Sequence, residues 1–295
     1  MAAGENAEAG VSLDQKLYVT KKSHVNCSGA EPTCSNGGVS SPDDDEPLTA
    51  LLRRAGFVAA DEEAAELLAC AAGDDLHLRS LVTRRLAGEP LAWITGSVSF
   101  CDLQVRVDPG VYVPRWQSEP LARRAADRLP ATGTAIDLCT GSGAIARFLT
   151  SARPSARVVA CDLDERAVAC AVANGVEAYV GDLFVPLPSG LEGRVDVVVG
   201  VVPYVPTPAL ALLARDTLAF EPRLSYDGGA DGTDVLRRAA VDSAGFLRPG
   251  GALLLELGGD QADLLADDLD RLGFAEVSVL LDEDGDARGI EATLR

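Results

Sequence analysis

The sequence predicts an α/β fold in which a parallel sheet is covered on both faces by helices, with a small helical domain ahead of it. Three observations predict it. Beyond Pro114, short apolar runs alternate with stretches of helical periodicity. Those runs are apolar throughout rather than at every second residue, as strands buried on both faces require. Hydrophobic residues make up 47% of the 295, enough to bury a sizeable core.

Residues 1–46 mix Gly, Ser, Asn and Pro with an Asp-Asp-Asp-Glu run and no apolar period, the pattern of a disordered tail. Residues 47–90 form a helical domain: apolar side chains recur at Leu48, Leu51 and Leu52, then at Ala64, Leu67 and Leu68, and Gly88 closes the unit. Residues 91–113 are expected to be a β-hairpin linker, from the alternation Leu103, Val105, Val107 and the Asp108-Pro109-Gly110 turn. Residues 114–295 form the main domain. A helix is expected near Ser118–Leu129, a strand at 134–138, a helix from Ala144, a strand at 156–162 and a helix over Glu165–Asn174. Then come strands at 176–180 and 195–202, a helix near 232–247, strands at 251–257 and 275–281 with a helix between them, and a last strand near 289–294.

Composition narrows the class. Lys plus Arg number 26 against 45 Asp plus Glu, a formal charge of −19, and such a surface repels phosphate backbones, so no direct nucleic-acid partner is expected. No apolar run approaches the roughly 20 residues of a membrane span, and the N-terminal stretch carries early acid and no apolar core of a secretory signal. Seven cysteines without a Cys-x-x-Cys pair, and two histidines (His24 and His77), point to reduced thiols in a cytoplasmic protein, without a zinc site or a disulfide scaffold. Cys27 and Cys34, in the tail, read as exposed thiols.

The sharpest signal is Asp137-Leu-Cys139-Thr140-Gly141-Ser142-Gly143, at the end of the first strand of the main domain and opening into a helix. Glycines at 141 and 143 allow a tight turn and a close approach of backbone to ligand. Asp162 ends the next strand about 20 residues on, where a carboxylate accepts bonds from ribose hydroxyls. Asp182, after the third strand, is placed to meet an adenine ring beside apolar Leu183. Gly141-x-Gly143-x-x-Ala146 also satisfies a looser dinucleotide fingerprint. The chain has no second mononucleotide half with its own Gly-rich turn, and Asp137 is placed to suit the ammonium of a methionine moiety. The cofactor expected is therefore S-adenosyl-L-methionine, in a Rossmann-like class I methyltransferase domain.

Six segments carry a family resemblance over Leu48–Arg295. They are GEPLAWITG (88–96), FCDLQVRVDPGVYVPR (100–115), DLCTGSGAIA (137–146), GDLF (181–184), VPYVP (202–206) and EPRLSYDGGADGTDVLRR (221–238). Together they resemble the release-factor (protein) glutamine N5-methyltransferases, and more narrowly a diverged offshoot of that family with unassigned substrate. The resemblance implies methylation of a glutamine side chain in a protein, a peptide chain release factor or a relative of one. It also implies that the helical unit and hairpin recognise that protein. The family ends its fourth strand with Asn-Pro-Pro-Tyr, and here the same place reads Val201-Val202-Pro203-Tyr204. In the family pattern, the Asn side chain and the next carbonyl accept from the amide nitrogen and aim it at the methyl group. Val201 keeps a place beside the cofactor but has no acceptor; the Val202 carbonyl, Pro203 and Tyr204 remain to shape the acceptor pocket. Losing one preorganised contact of this kind costs roughly 2.7–4 kcal/mol, or about 10²–10³ in rate.

Five other polar residues are candidates for the cleft: Glu89, Thr95, Arg115, Gln117 and Glu221. Phe100 and Trp93 are candidates for pocket walls or for core. Cys139 reads as a small apolar packer rather than a nucleophile, and Asp231 and Asp234 as helix-start caps. Three functions stand open: methylation of a protein glutamine or related nitrogen, a cofactor binder that no longer methylates glutamine or acts on another acceptor, and chemistry on the cofactor alone.

Overall fold

The computed structural model describes residues 47–213 and 215–295. The expected tail, with Cys27 and Cys34, lies outside the described residues. Three helices open the chain: α1 (Leu48–Arg54), α2 (Ala60–Ala71) and α3 (Asp75–Leu86). The α2 start collects Asp61, Glu62 and Glu63, where the helix dipole favours acid. The Asp74 side chain caps α3 by accepting from the His77 amide at 3.0 Å. Leu52, Leu67 and Leu81 bury their apolar faces in one small cluster.

A fourth helix, α4 (Leu91–Thr95), lies where the hairpin was expected to begin. Pro90 starts it, Gly96 ends it in the left-handed conformation at φ 85°, and Ile94 packs into the helical cluster. The expected boundary at 91 is thus too early, because a five-residue helix has too few turns to show a period. The hairpin proper is β1 (Ser97–Phe100) and β2 (Leu103–Arg106), paired antiparallel. Cys101 and Asp102 both have positive φ, 48° and 64°, as the tight turn joining two twisted strands demands.

The main domain begins with α5 (Glu119–Arg128) and then runs β3 (Thr134–Leu138), α6 (Ala144–Ala152), β4 (Arg157–Asp162), α7 (Glu165–Ala173), β5 (Glu177–Val180) and β6 (Val195–Gly200). After β6 come α8 (Arg215–Phe220), α9 (Asp234–Phe246), β7 (Leu247–Glu256), α10 (Gln261–Arg271), β8 (Phe274–Leu281) and β9 (Ala287–Leu294). The sheet order is β5-β4-β3-β6-β7-β9-β8. The first five strands are parallel, as expected, but β9 runs antiparallel to both β7 and β8. The reason is local: β8 and β9 are joined by a short turn around Gly285 (φ 84°), and so short a link only joins antiparallel neighbours. The α8 turn was not expected from the sequence.

Two clusters face each other across the sheet. Ile136, Leu138, Val198, Leu253 and Leu255 pack against Leu236 of α9 and Leu265 and Leu269 of α10. Ala135, Val158, Val197 and Leu254 pack against Leu121 of α5, Leu149 of α6 and Ala171 of α7. The alternation of neighbours such as Leu253 and Leu254 between the clusters is the pleat of a sheet buried on both sides. Among the described residues no helix is long and apolar enough to cross a membrane.

Asn174, just past α7, joins the hairpin to the main domain. Its Oδ1 accepts from the Arg106 amide at 3.0 Å, and its Nδ2 donates to the Arg106 carbonyl at 2.9 Å and to the Ser142 carbonyl at 2.8 Å. Asn174→Ala leaves those buried groups without partners, so the midpoint of chemical denaturation is expected to fall by the equivalent of about 1–3 kcal/mol.

Candidate active site

Ligands in open α/β sheets bind beyond the carboxyl ends of the strands, and here the candidate residues gather at that edge. The turn from β3 into α6 is tight: Cys139, Gly141 and Gly143 have φ of 52°, 57° and 81°. The two glycines answer to different constraints. A Cβ at Gly143 would come within 2.9 Å of the Ala171 Cβ and 3.0 Å of Val176, so α7 closes against the turn there. A Cβ at Gly141 would meet protein only at 4.0 Å, on the Tyr112 carbonyl; the space before it is open.

Asp137 holds this turn from inside. It is buried, and its Oδ2 accepts from the Thr140 hydroxyl at 2.5 Å and from the Ala146 amide at 3.1 Å. Burial pushes its carboxyl up to about 7, against the pull of those two donors. At the end of β4, Asp162 accepts from the Gly141 amide at 2.9 Å through one oxygen and from the Asp164 amide at 2.9 Å through the other. Burial raises its carboxyl as well. The Ser142 hydroxyl is buried and has no hydrogen-bond partner among the described residues.

A cleft of about 400 Å³ opens over the turn, lined by Asp137, Cys139, Thr140, Gly141, Ser142 and Val201, with Phe100, Tyr112 and Arg115 opposite. Of the sequence-derived cofactor residues, Gly143, Asp162, Asp182 and Leu183 do not line it. Gly143 packs behind the turn, and Asp162 touches the turn through Gly141. Asp182 is bound to the Arg238 guanidinium at 2.5 Å. Leu183 is buried in the core shared with α9 and α10, a commitment that the sequence reading did not foresee. Cys139 is a half-buried packer whose thiol is pushed well up by burial and by the surrounding carboxylates, so it carries no thiolate at neutral pH.

A second cleft, about 530 Å³, adjoins the first and shares Tyr112, Arg115 and Val201 with it. Its other lining includes Gln117, Val202, Tyr204, Tyr226 and Glu256. Val201 follows directly on β6, so the expected strand ends two residues early, at Gly200. Pro203 is buried. Tyr204 donates through its hydroxyl to Glu256 Oε1 at 3.0 Å, and its carbonyl accepts from Gln261 Nε2 at 2.7 Å. Burial and the Glu256 charge push the Tyr204 phenol well up, so it remains a donor.

Buried Glu221 organises the far wall. It accepts from the Val113 amide at 2.9 Å, from Arg115 Nη2 at 2.5 Å and from the Tyr226 hydroxyl in a very short bond. The Arg115 guanidinium stands 5.0 Å from the Tyr112 ring centre, and Tyr112 meets Tyr226 edge-on at 5.6 Å. Arg115 and Gln117 therefore reach the cleft and Glu221 supports it from below. Glu89 is instead bound to Arg84, and Thr95 to Glu66, within the helical unit. Trp93 is core, packed edge-on against Phe220 and donating to the Val111 carbonyl. Asp231 and Asp234 do not cap α9 as expected: the N-cap position is Thr233, whose amide and hydroxyl donate to Asp231 in the turn before the helix, and Asp234 is the first helical residue. Sequence reasoning missed Tyr112, Tyr226 and Glu256. A signal for Glu256 existed: one carboxylate at the carboxyl end of an otherwise apolar parallel strand, LLLEL.

A five-stranded parallel core with a glycine turn leading into α6 and two adjoining clefts at the carboxyl edge is the Rossmann-like layout of the class I S-adenosylmethionine-dependent methyltransferases. The chain is 41% identical over 212 residues to the release factor glutamine methyltransferase of Moorella thermoacetica, covering 68% of this chain and 72% of that one. It is 36% identical over 226 residues to the Geobacter sulfurreducens protein of the same name, covering 75% and 76%. For the Cereibacter sphaeroides protein the identity is 34% over 268 residues, covering 82% and 94%. The chain belongs to the release factor glutamine methyltransferase family. No protein-family model matches it. Among solved structures, a ribosomal protein L11 methylase from Lactobacillus delbrueckii subsp. bulgaricus aligns at 17% identity and a TM-score of 0.45, over 65% of this chain and 85% of that one.

Gly143→Ala tests the turn. The added methyl meets Ala171 in a left-handed backbone, and a cost of about 1–3 kcal/mol is expected, read as a lower thermal midpoint together with weakened nucleoside binding.

Proposed function

We propose that this protein binds S-adenosyl-L-methionine in the first cleft and methylates the side-chain nitrogen of a glutamine, presented in the second cleft by a protein of the release-factor kind. The observation that carries the reading is the pair of clefts meeting at Val201, one over the glycine turn and one over Val202-Pro203-Tyr204. The residues of the first cleft fit the nucleoside. The space before Gly141 admits it, the Ser142 hydroxyl has an unused bond to give, and Asp137 offers negative charge to the methionine ammonium. Asp162, which holds Gly141 from the end of β4, is assigned to the ribose end, beyond the turn.

When bound, the cofactor supplies a sulfonium methyl as electrophile. The protein's part is to hold the amide nitrogen in line with that methyl, which is where an amide, a poor nucleophile, needs most help. The Val202 carbonyl accepts one N–H; Pro203 and Tyr204 close the pocket and exclude water. The helical unit and hairpin form the docking side for the acceptor protein. Val201, an apolar wall, stands where the family's motif has an asparagine acceptor, which supports reading this chain as a diverged member. That replacement favours a second reading, a nucleoside-binding protein that does not methylate glutamine.

Two measurements test these readings. Labelled cofactor incubated with a release factor is expected to transfer label to glutamine; no transfer by the natural protein where a Val201→Asn variant does transfer would establish the second reading. S-adenosylhomocysteine affinity, followed by calorimetry, is expected to strengthen as pH rises through about 7, where Asp137 ionises, and Asp137→Asn is expected to flatten that rise.

A further inference from the structure

Glu256 ends β7 directly beside the end of β6. In the register of these two parallel strands Gly200 pairs with Leu255, so Val201 and Glu256 stand side by side, one residue further on. Both line the second cleft, and both belong to the sheet face that carries α5, where Val201 and Leu254 pack. Glu256 is 5% exposed, and its Oε1 is fixed by the Tyr204 hydroxyl at 3.0 Å. Its Oε2 is buried without a hydrogen-bond partner among the described residues. A buried carboxyl oxygen left unused costs stability unless something fills it.

The geometry points to Glu256 as the group that receives the N–H of the acceptor nitrogen, in the place where the family's asparagine would stand. This rests on the glutamine reading given above. An asparagine oxygen accepts a hydrogen bond but cannot accept the proton; a carboxylate does both. As the nitrogen–carbon bond forms, the carbon–sulfur bond breaks and its electron pair stays on sulfur. The nitrogen then loses one proton to Oε2. One positive and one negative charge enter the step, and a neutral thioether, an N-methyl amide and a neutral carboxylic acid leave it. Tyr204 acts as a positioning residue, holding Oε1 and leaving Oε2 as the oxygen without a partner among the described residues.

Ionisation of Glu256 decides when this works. Burial raises its carboxyl, while the Ser118 and Tyr204 hydroxyls and the positive charges of Arg288 and Arg115 pull it back down. Since the net direction is upward, the active carboxylate accumulates only as pH rises above the ordinary carboxylate range, and the rate climbs with it.

The test uses the full chain, labelled S-adenosylmethionine and a release-factor protein. Glu256→Gln is expected to lower kcat by about 100-fold, to remove the acid limb of the pH profile and to leave S-adenosylhomocysteine affinity unchanged. Adding Val201→Asn to that variant is expected to restore kcat at least about tenfold. A Glu256→Gln variant with the natural kcat and the natural acid limb overturns the assignment. If that variant fails to bind the nucleoside, Glu256→Asp takes its place, and the limb is expected to move rather than vanish; an unmoved limb overturns the assignment. Should the natural protein bind S-adenosylhomocysteine yet leave glutamine unmodified, the glutamine reading itself falls. Affinity for a glutamine peptide in the presence of S-adenosylhomocysteine then still reports on Glu256. A loss of about tenfold or more on Glu256→Leu supports the contact, and equal affinity overturns it.

Discussion

The Asp137 carboxylate, buried at the end of β3, bonds the Thr140 hydroxyl and the Ala146 amide at the same time. Those two donors lie on either side of the glycine turn, so one side chain ties the strand end, the turn and the first turn of α6 together. Thr140 donates its amide to the Cys161 carbonyl and Gly141 donates to Asp162, which sets the depth of the β4 edge against β3. A group so placed is kept near the border of ionisation, since burial opposes its charge and the donors favour it. The carboxylate that fixes the turn therefore also lines the first cleft.

The second cleft is built by a different logic. Glu221 comes from the segment after α8, yet its carboxylate reaches the Val113 amide and the Arg115 guanidinium, both from the stretch between hairpin and α5. Long-range buried pairs of this kind are costly to desolvate and costly to break, so they specify one arrangement rather than add much stability. Arg115 is thereby held against the Tyr112 ring, and the Tyr112–Tyr226 pair stacks edge-on beside it. The second cleft is thus walled by aromatic rings whose orientation is set by one carboxylate.

Much of this was legible before any coordinates. The mainly apolar runs at 134–138, 156–162 and 195–202 announced buried parallel strands, and the helices over 119–128, 144–152 and 165–173 fell within a residue or two of where the periodicity placed them. The glycine turn and Asp137 were legible because only a few residue types tolerate φ above zero or a carboxylate at a strand end. The α4 helix and the α8 turn were not, being too short to display a period. The antiparallel turn of β9 was hidden because an apolar strand looks the same in either direction. Leu183 shows the remaining gap: its neighbour Asp182 suggested a ligand, but whether a leucine faces a ligand or the core depends on the backbone of a single loop residue, here at φ 48°. Glu256 was missed because its meaning comes from β6, some fifty residues earlier in the chain.

Asn174 has a consequence of another kind. It belongs to neither cleft, yet it is bonded at once to the β1–β2 ribbon and to the carbonyl of Ser142 in the glycine turn. A displacement of the ribbon would reach that turn through these two short bonds, one of them fully buried. Thermodynamic reciprocity then fixes the relation: whatever factor the protein substrate imposes on nucleoside affinity, the nucleoside imposes on affinity for the protein. Were a protein to settle on the ribbon, a single amide side chain would carry that coupling, whichever of the two arrived first.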